Sequence, residues 1–365
     1  MQTTRTTTDW QPRICLILNT GRCGGTVLSN IVRAYPDALS ISEFFSALRG
    51  HDLTERMLSG TDFWHMLSTP GHAETEVLAR CGIEPEELLY PLFKPRPGAR
   101  RFVGGAKIPP VLQVTIPHLT GQPDELYATL EVMAVRQPRR MLSQHLLWLF
   151  GVLAGGRRPA VVVERSGGSL AYAGALLRLF PEAKVVHLFR DGRECAVSMS
   201  RHACFKLAAI RSMLSSRFAY DPYGVTEAAT DTDRPRPKNT ENDAELAELA
   251  PERITRERFE RFRVPLSRYG GMWSRIVATG LAELPEPSRV LSLDYRDVAA
   301  KPGENLDLLF DFLGIAHHSE WTSHIPVEIR AARDVRAELC GSEWDELTRS
   351  CSFGMNRIYG RGGWK

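Results

Sequence analysis

Short unbroken apolar runs alternate along this chain with stretches whose apolar residues recur at helical spacing. The run Ile14–Leu18 predicts a buried strand. Val27, Leu28, Ile31, Val32 and Tyr35 then predict a helix that Pro36 stops. Ala38–Ile41 predicts a second strand, ending at Glu43. Val161–Val163 and Lys184–Phe189 are further strands. Between them Leu170, Ala173, Leu176, Leu177 and Phe180 form a helical stripe closed by Pro181, and another helix starts at Arg193. Arg289–Leu293 predicts one more strand. After it come Leu306, Leu309, Phe310 and Leu313 on an amphipathic helix, with Gly314 as its cap. Strands alternating with helices predict an α/β fold built on a central parallel sheet.

Two regions break this rhythm. Residues 44–158 read as a largely helical insertion, with a strand expected at Arg101–Ile108 and breaks at Pro109, Pro110 and Pro117. Residues 221–263 are polar, proline-containing and dense in both charge signs, which fits either a mobile insertion or a solvated helical lid. The most apolar run, HLLWLFGVLAG around Trp148, falls short of the roughly 20 residues a membrane span needs and fits a buried helix. The 365 residues allow one large domain or two ordinary ones, and the expectation is a single domain over 1–365.

Composition narrows the chemistry. A formal charge of +3 is too small for wholesale attraction to nucleic acid or membranes. Of the 46 basic residues only seven are lysine, so an anion site here draws on arginine forks. The seven cysteines (Cys15, Cys23, Cys81, Cys195, Cys204, Cys340 and Cys351) are odd in number and contain no CxxC pair. Neither a disulfide framework nor a zinc site is expected from them. The polar start MQTTRTTTDWQP lacks a signal-type apolar core, and a reducing, cytoplasmic setting is expected.

The candidate chemistry begins where the first strand ends, in CLILNTGRCGGTVLSNIV. Gly21, Gly24 and Gly25 allow backbone amides to converge, and the helix starting near Thr26 adds its positive end, making an anion cradle. Arg22 and the Thr26 hydroxyl add a charge and a donor. A Walker-type loop needs a lysine before its final Ser/Thr, and Gly25 stands there instead. An ordinary glycine turn is the alternative reading of the loop by itself. A second motif, KVVHLFRDGRECAVSMSRH, places Arg190 at a strand end and Ser198 eight residues on. The helix rises on the order of 9 Å between Gly192 and Ser198, so the two side chains can close on one anion. The alternative is a strand-end arginine paired with Asp191 or Glu194.

Together the motifs resemble sulfotransferases that use 3′-phosphoadenylyl sulfate (PAPS). TGRCGGTVLS resembles their 5′-phosphosulfate loop, and the Arg190–Ser198 pair their 3′-phosphate motif. FPEAKVVHLFRDGRECAVSM is similar to the tyrosylprotein-type and bacterial branches, and LSLDYRDVAAKPGENLDLLFDFLGI to the family's later block. The resemblance covers residues 15–46, 160–202 and 288–315. It implies a P-loop NTPase-like fold and a loop that holds a sulfated 5′-phosphate, with no metal required. Arg22 then stabilises the leaving phosphate. Cys23, Gly24, Gly25, Thr26 and Val27 hold the phosphosulfate, with the Cys23 contribution expected from its backbone because a thiol is a weak donor. Arg190 and Ser198 hold the 3′-phosphate, and Tyr295 lies near the adenylate.

The resemblance also implies a glutamate base, and Glu43 stands at the place. Strand ends of a parallel sheet face the ligand crevice. A solvated strand-end glutamate is the alternative, and another branch uses histidine. His187 reads as a core residue, while His51, His65, His118 and His145 cannot be ranked. Arg165 is expected to touch substrate or to pair with Glu164. Arg201 is a further candidate for the phosphate site, and the final stretch MNRIYGRGGWK resembles the basic glycine loop that covers the 3′-phosphate in cytosolic members, making Arg357 and Arg361 candidates as well. The expected partner is a small-molecule or peptide hydroxyl, with residues 44–158 and 221–263 shaping its pocket. A small-molecule kinase, marked by a magnesium requirement, and an inactive nucleotide-binding module are the competing functions.

Overall fold

The computed structural model describes residues 10–104, 107–218, 221–224, 241–316, 329–330 and 334–360. Residues 225–240 of the polar segment and Arg361 lie outside the described residues. Five parallel strands form the central sheet: β1 (Arg13–Leu18), β2 (Ala38–Ser42), β3 (Val161–Arg165), β4 (Lys184–Phe189) and β5 (Val290–Asp294), in the spatial order β2-β3-β1-β4-β5. β1 is central, with Cys15 opposite Val163 on one side and Lys184 on the other. Its side chains alternate between two cores. Leu16 and Leu18 pack with the inserted helices, and Cys15 and Ile17 pack with the helices on the opposite face. Burial on both faces explains why the strands read as continuous apolar runs.

β1 feeds helix α1 (Gly25–Arg33), which buries Leu28, Ile31 and Val32. The run around Trp148 forms α2 (Leu142–Leu153), packed into the core of the insertion. None of the described helices is long and apolar enough to cross a membrane. After β4 come α3 (Gly192–Ser200) and α4 (Ala203–Phe218). α5 (Leu266–Leu281) and α7 (Gly341–Tyr359) meet at the Gly354 amide, which donates to Ser274 Oγ at 2.7 Å; between them in sequence lies α6 (Pro302–Leu313), closed by Gly314 at φ 67°. The polar segment contributes two short helices, Glu241–Ala247 and Arg256–Arg261.

One expected element is absent among the described residues: Arg101–Ile108 contains no strand. Its backbone donors are already used. The Arg100 and Arg101 amides donate to Asp124 Oδ2 at 2.7 and 3.0 Å, and the Phe102 amide donates to Tyr90 Oη at 3.2 Å. A segment whose N–H groups are satisfied by side chains has little to offer a ladder.

Because all five strands are parallel, their C-terminal ends share one edge. The loops leaving that edge carry Arg22, Glu43, Gly167, Arg190 and Tyr295.

Candidate active site

Asn19 braces the first of these loops. Its Nδ2 donates to the Ser166 carbonyl at 3.0 Å and its Oδ1 accepts from the Gly21 amide at 2.8 Å. Gly21, Arg22 and Gly24 all have positive φ, at 82°, 59° and 85°. Left-handed residues spaced this closely turn successive amides inward, the geometry of an anion nest. The first-turn amides of α1, at Gly25 and Thr26, have no acceptor within the helix, and no acidic residue competes in that turn. A Cβ at Gly24 would lie 2.1 Å from Tyr295 Cδ2, so the tyrosine ring covers the loop.

Among the described residues, two that are not glycine have positive φ: Arg22 and Glu43, at 59° and 55°. Such conformations cluster where a fold holds a side chain in a working position. Both line one cleft, along with Gly24, Gly25, Thr26, Val27, Arg165, Arg190, Ser198 and Tyr295. The cleft measures about 700 Å³ including space open to solvent. Arg22 Nε donates to Ser198 Oγ at 3.1 Å, and its Nη1 to Glu87 Oε1 at 2.9 Å. Arg190 pairs with Glu194, Nε to Oε2 at 2.5 Å, and lies 5.6 Å over the Tyr295 ring. Arg190 and Ser198 thus line the same cleft, where Ser198 accepts from Arg22 and Arg190 pairs with Glu194. Cys23 is fully buried and points at the Leu188 carbonyl. Burial pushes its thiol up to about 11, so only its backbone serves the loop.

Glu43 directly follows β2 and is nearly buried. Arg165 Nη1 and Ser46 Oγ donate to its carboxylate, and the Gly167 amide donates at 2.9 Å. Arg165 also donates to Ser42 Oγ at 2.8 Å, while its buried Nε has no partner. Arg165 thus pairs with Glu43, not with Glu164. Glu164 is buried beside it, and that burial, reinforced by the Glu43 charge, pushes its carboxyl up to about 7.

A second pocket of about 1130 Å³, open space included, adjoins the cleft and shares Glu43, Glu87, Gly167 and Phe205 with it. Its remaining wall is mainly apolar: Leu88, Val114, Ala171, Met272 and Ile276, with a polar end at Arg49, His72 and Glu74. The insertion 44–158 supplies much of this wall. None of the described part of 221–263 lines it.

Other arginines and histidines stand apart. Arg201 pairs with Glu338 at the surface, and Arg357 is exposed beside Phe353. His187 is buried in β4, and desolvation lowers it to about 4. His51, His65, His118 and His145 line neither pocket. His202 does line the second pocket, and pattern reading passed over it, as it did Asn19 and Glu87. Asn19 is adjacent to the glycine loop and its position was a usable clue. Glu87 lies in a turn with no periodicity to mark it.

This arrangement agrees with a family model described as "Sulfotransferase family", which matches residues 15–264. The chain belongs to that family. Similar solved structures are the sulfotransferase domain from the curacin biosynthetic pathway, at 13% identity over 97% of this chain and 93% of that one with a TM-score of 0.43, and a sulfotransferase from Alicyclobacillus acidocaldarius, at 15% over 95% and 94% with a TM-score of 0.38. A retinol dehydratase solved with androsterone and the inactive cofactor PAP matches at 12% over 95% and 82%, TM-score 0.32. A search of curated protein sequences finds no relative.

Proposed function

We propose that this protein moves a sulfuryl group from PAPS to an acceptor hydroxyl, with Glu43 as base and Arg22 beside the leaving phosphate. One observation supports this most: Arg22 and Glu43, the two left-handed side-chain-bearing residues among those described, line one cleft, and Glu43 is also on the wall of the adjoining apolar pocket. The donor set suits a bis-anionic adenylate, with free amides at Gly25 and Thr26 at one end and Arg190 over Tyr295 at the other. Three arginines and two glutamates face the cleft, so a ligand anion takes over arginines that now pair with carboxylates.

PAPS supplies a sulfuryl group already joined to a phosphate that can leave. Glu43 accepts the acceptor's hydroxyl proton as the new S–O bond forms. Arg22 neutralises the charge appearing on the bridging oxygen as the old S–O bond breaks. Arg165, the Gly167 amide and Ser46 fix the Glu43 carboxylate in one orientation. The apolar second pocket favours a small amphipathic alcohol or phenol, and the whole of 1–365 acts as one sulfotransferase unit.

The test is transfer of radiolabelled sulfate from PAPS to a panel of hydroxyl compounds in the presence of a chelator. Transfer is expected, and Glu43→Gln is expected to lower kcat about 10²–10⁴-fold while leaving nucleotide binding intact. A requirement for ATP with magnesium, or a fully active Glu43→Gln, contradicts the reading.

A further inference from the structure

Beside Arg22 lies a group of side chains that the transfer reaction does not use. Glu87 comes from the turn before Leu88, His202 from the junction of α3 and α4, and Cys204 from the first turn of α4. Their nearest ligand atoms all lie within 4.8 Å of one another. His202 is 2% exposed, its Nε2 rests against Glu87 Oε2, and its Nδ1 has no hydrogen-bond partner. All three residues line the second pocket.

We propose that Glu87, His202 and Cys204 form a site for a divalent, borderline-soft cation of the Zn²⁺ class, opening on the acceptor pocket. The donor set of one oxygen, one nitrogen and one sulfur is what such an ion takes, and three protein ligands leave the fourth position to water or a ligand. At ordinary zinc bond lengths the donors of a tetrahedron stand about 3.6 Å apart, so the touching Glu87–His202 pair opens while the widest pair closes by about 1 Å. Glu87, about a third exposed, sits where it can make that movement. Binding breaks the Cys204 S–H bond, releases that proton to solvent and forms a sulfur–metal bond, with no change of oxidation state.

The ion does not take part in transfer; it restrains it. Glu87, His202 and Cys204 line the same pocket as Glu43, so a bound ion takes up space that the acceptor would occupy. Acceptor binding falls when the site is loaded. The site itself goes beyond the proposed activity, and metal uptake is measured without it.

The probe is Co²⁺ added to the full chain carrying Cys340→Ser, which removes the exposed cysteine. Expected is one equivalent bound, with a thiolate-to-cobalt charge-transfer band and the absorption of four-coordinate cobalt. Cys204→Ser in that background loses the band, and His202→Gln weakens binding at least tenfold, while circular dichroism and melting temperature show both variants folded. No cobalt uptake, or a band that survives Cys204→Ser, overturns the site. Uptake with the expected variant pattern but no loss of acceptor affinity overturns the inhibitory role alone. A protein that binds cobalt as described yet transfers no sulfate keeps the site and loses the enzymatic reading.

Discussion

The Arg165–Glu43 pair offers the sharpest test of how the C-terminal edge of the sheet is held together. Both side chains are nearly buried, at 6% and 11% exposed. Arg165→Met keeps the apolar stem that packs under Gly25 and removes the cation. Glu43 then keeps the Gly167 amide and Ser46 as donors, and Ser42 Oγ loses its own. Leaving one member of a buried pair uncompensated destabilises by about 3–5 kcal/mol. Adding Glu43→Gln removes the orphaned charge, so the double variant is expected to regain most of that loss. The coupling energy should then exceed about 1.5 kcal/mol, well above the few tenths shown by independent sites. Chemical denaturation of the wild type, both single variants and the double variant measures it, compared at equal m-values. Sulfate transfer should stay lost in the double variant, because the proposed base is gone even where the fold is restored. An Arg165→Met loss below about 1 kcal/mol, or simple additivity, would refute the view that this pair is a mutually dependent buried unit.

Gly24→Ala places a methyl group into the Tyr295 ring at a backbone position of φ 85°. The conformation alone opposes alanine by about 1–2 kcal/mol, and nucleotide binding should fall more than tenfold as the ring is displaced; unchanged affinity in a titration would count against the cradle. Acid stability should depend on Glu74. Burial by itself would raise its carboxyl, but Arg49 and Arg211 outweigh that and hold it at about 2, with His72, itself lowered to about 4 by burial, adding charge only in acid. A folded value below the unfolded 4.5 stabilises the fold above that pH, and the benefit, about 3 kcal/mol in all, disappears as pH falls from 4.5 through about 2. Glu74→Gln should therefore be strongly destabilising near neutral pH and much less so near pH 3; an equal effect at both would show that the arginines do not hold the charge.

Much of this edge was legible from local pattern. Strand runs and helical spacing located all five strands of the sheet, because a sheet buried on both faces writes itself as unbroken apolar residues. The glycine loop and Arg22 followed, since a loop leaving a parallel strand opens on the ligand edge, while Glu43 was singled out by the family resemblance. Non-local chemistry was not legible. Arg165 stands next to Glu164 in sequence yet pairs with Glu43, because adjacent residues on β3 face opposite sides of the sheet while β2 brings Glu43 alongside. Glu87 reaches Arg22 and His202 from a turn more than 60 positions from the one and more than 100 from the other. The cysteine spacing showed no familiar zinc pattern, and it could not reveal that the fold sets Glu87 beside His202 and Cys204, more than 100 positions further along. The missing strand at Arg101–Ile108 failed for a related reason: Asp124 and Tyr90 claim its amides from elsewhere in the insertion.

In the proposed function two anion sites grip opposite ends of one adenylate, the loop at Gly24–Thr26 and the wall at Arg190. Calorimetric titration with 3′-phosphoadenosine 5′-phosphate and with AMP, which lacks the 3′-phosphate, tests it most directly. The wild type should bind the first about 10–150-fold more tightly, the range of one charge-assisted hydrogen-bonded contact of about 1.5–3 kcal/mol. Arg190→Ala should erase that difference and leave AMP affinity unchanged. Equal affinity of the wild type for both, or an Arg190→Ala variant weakened equally toward both, would contradict it.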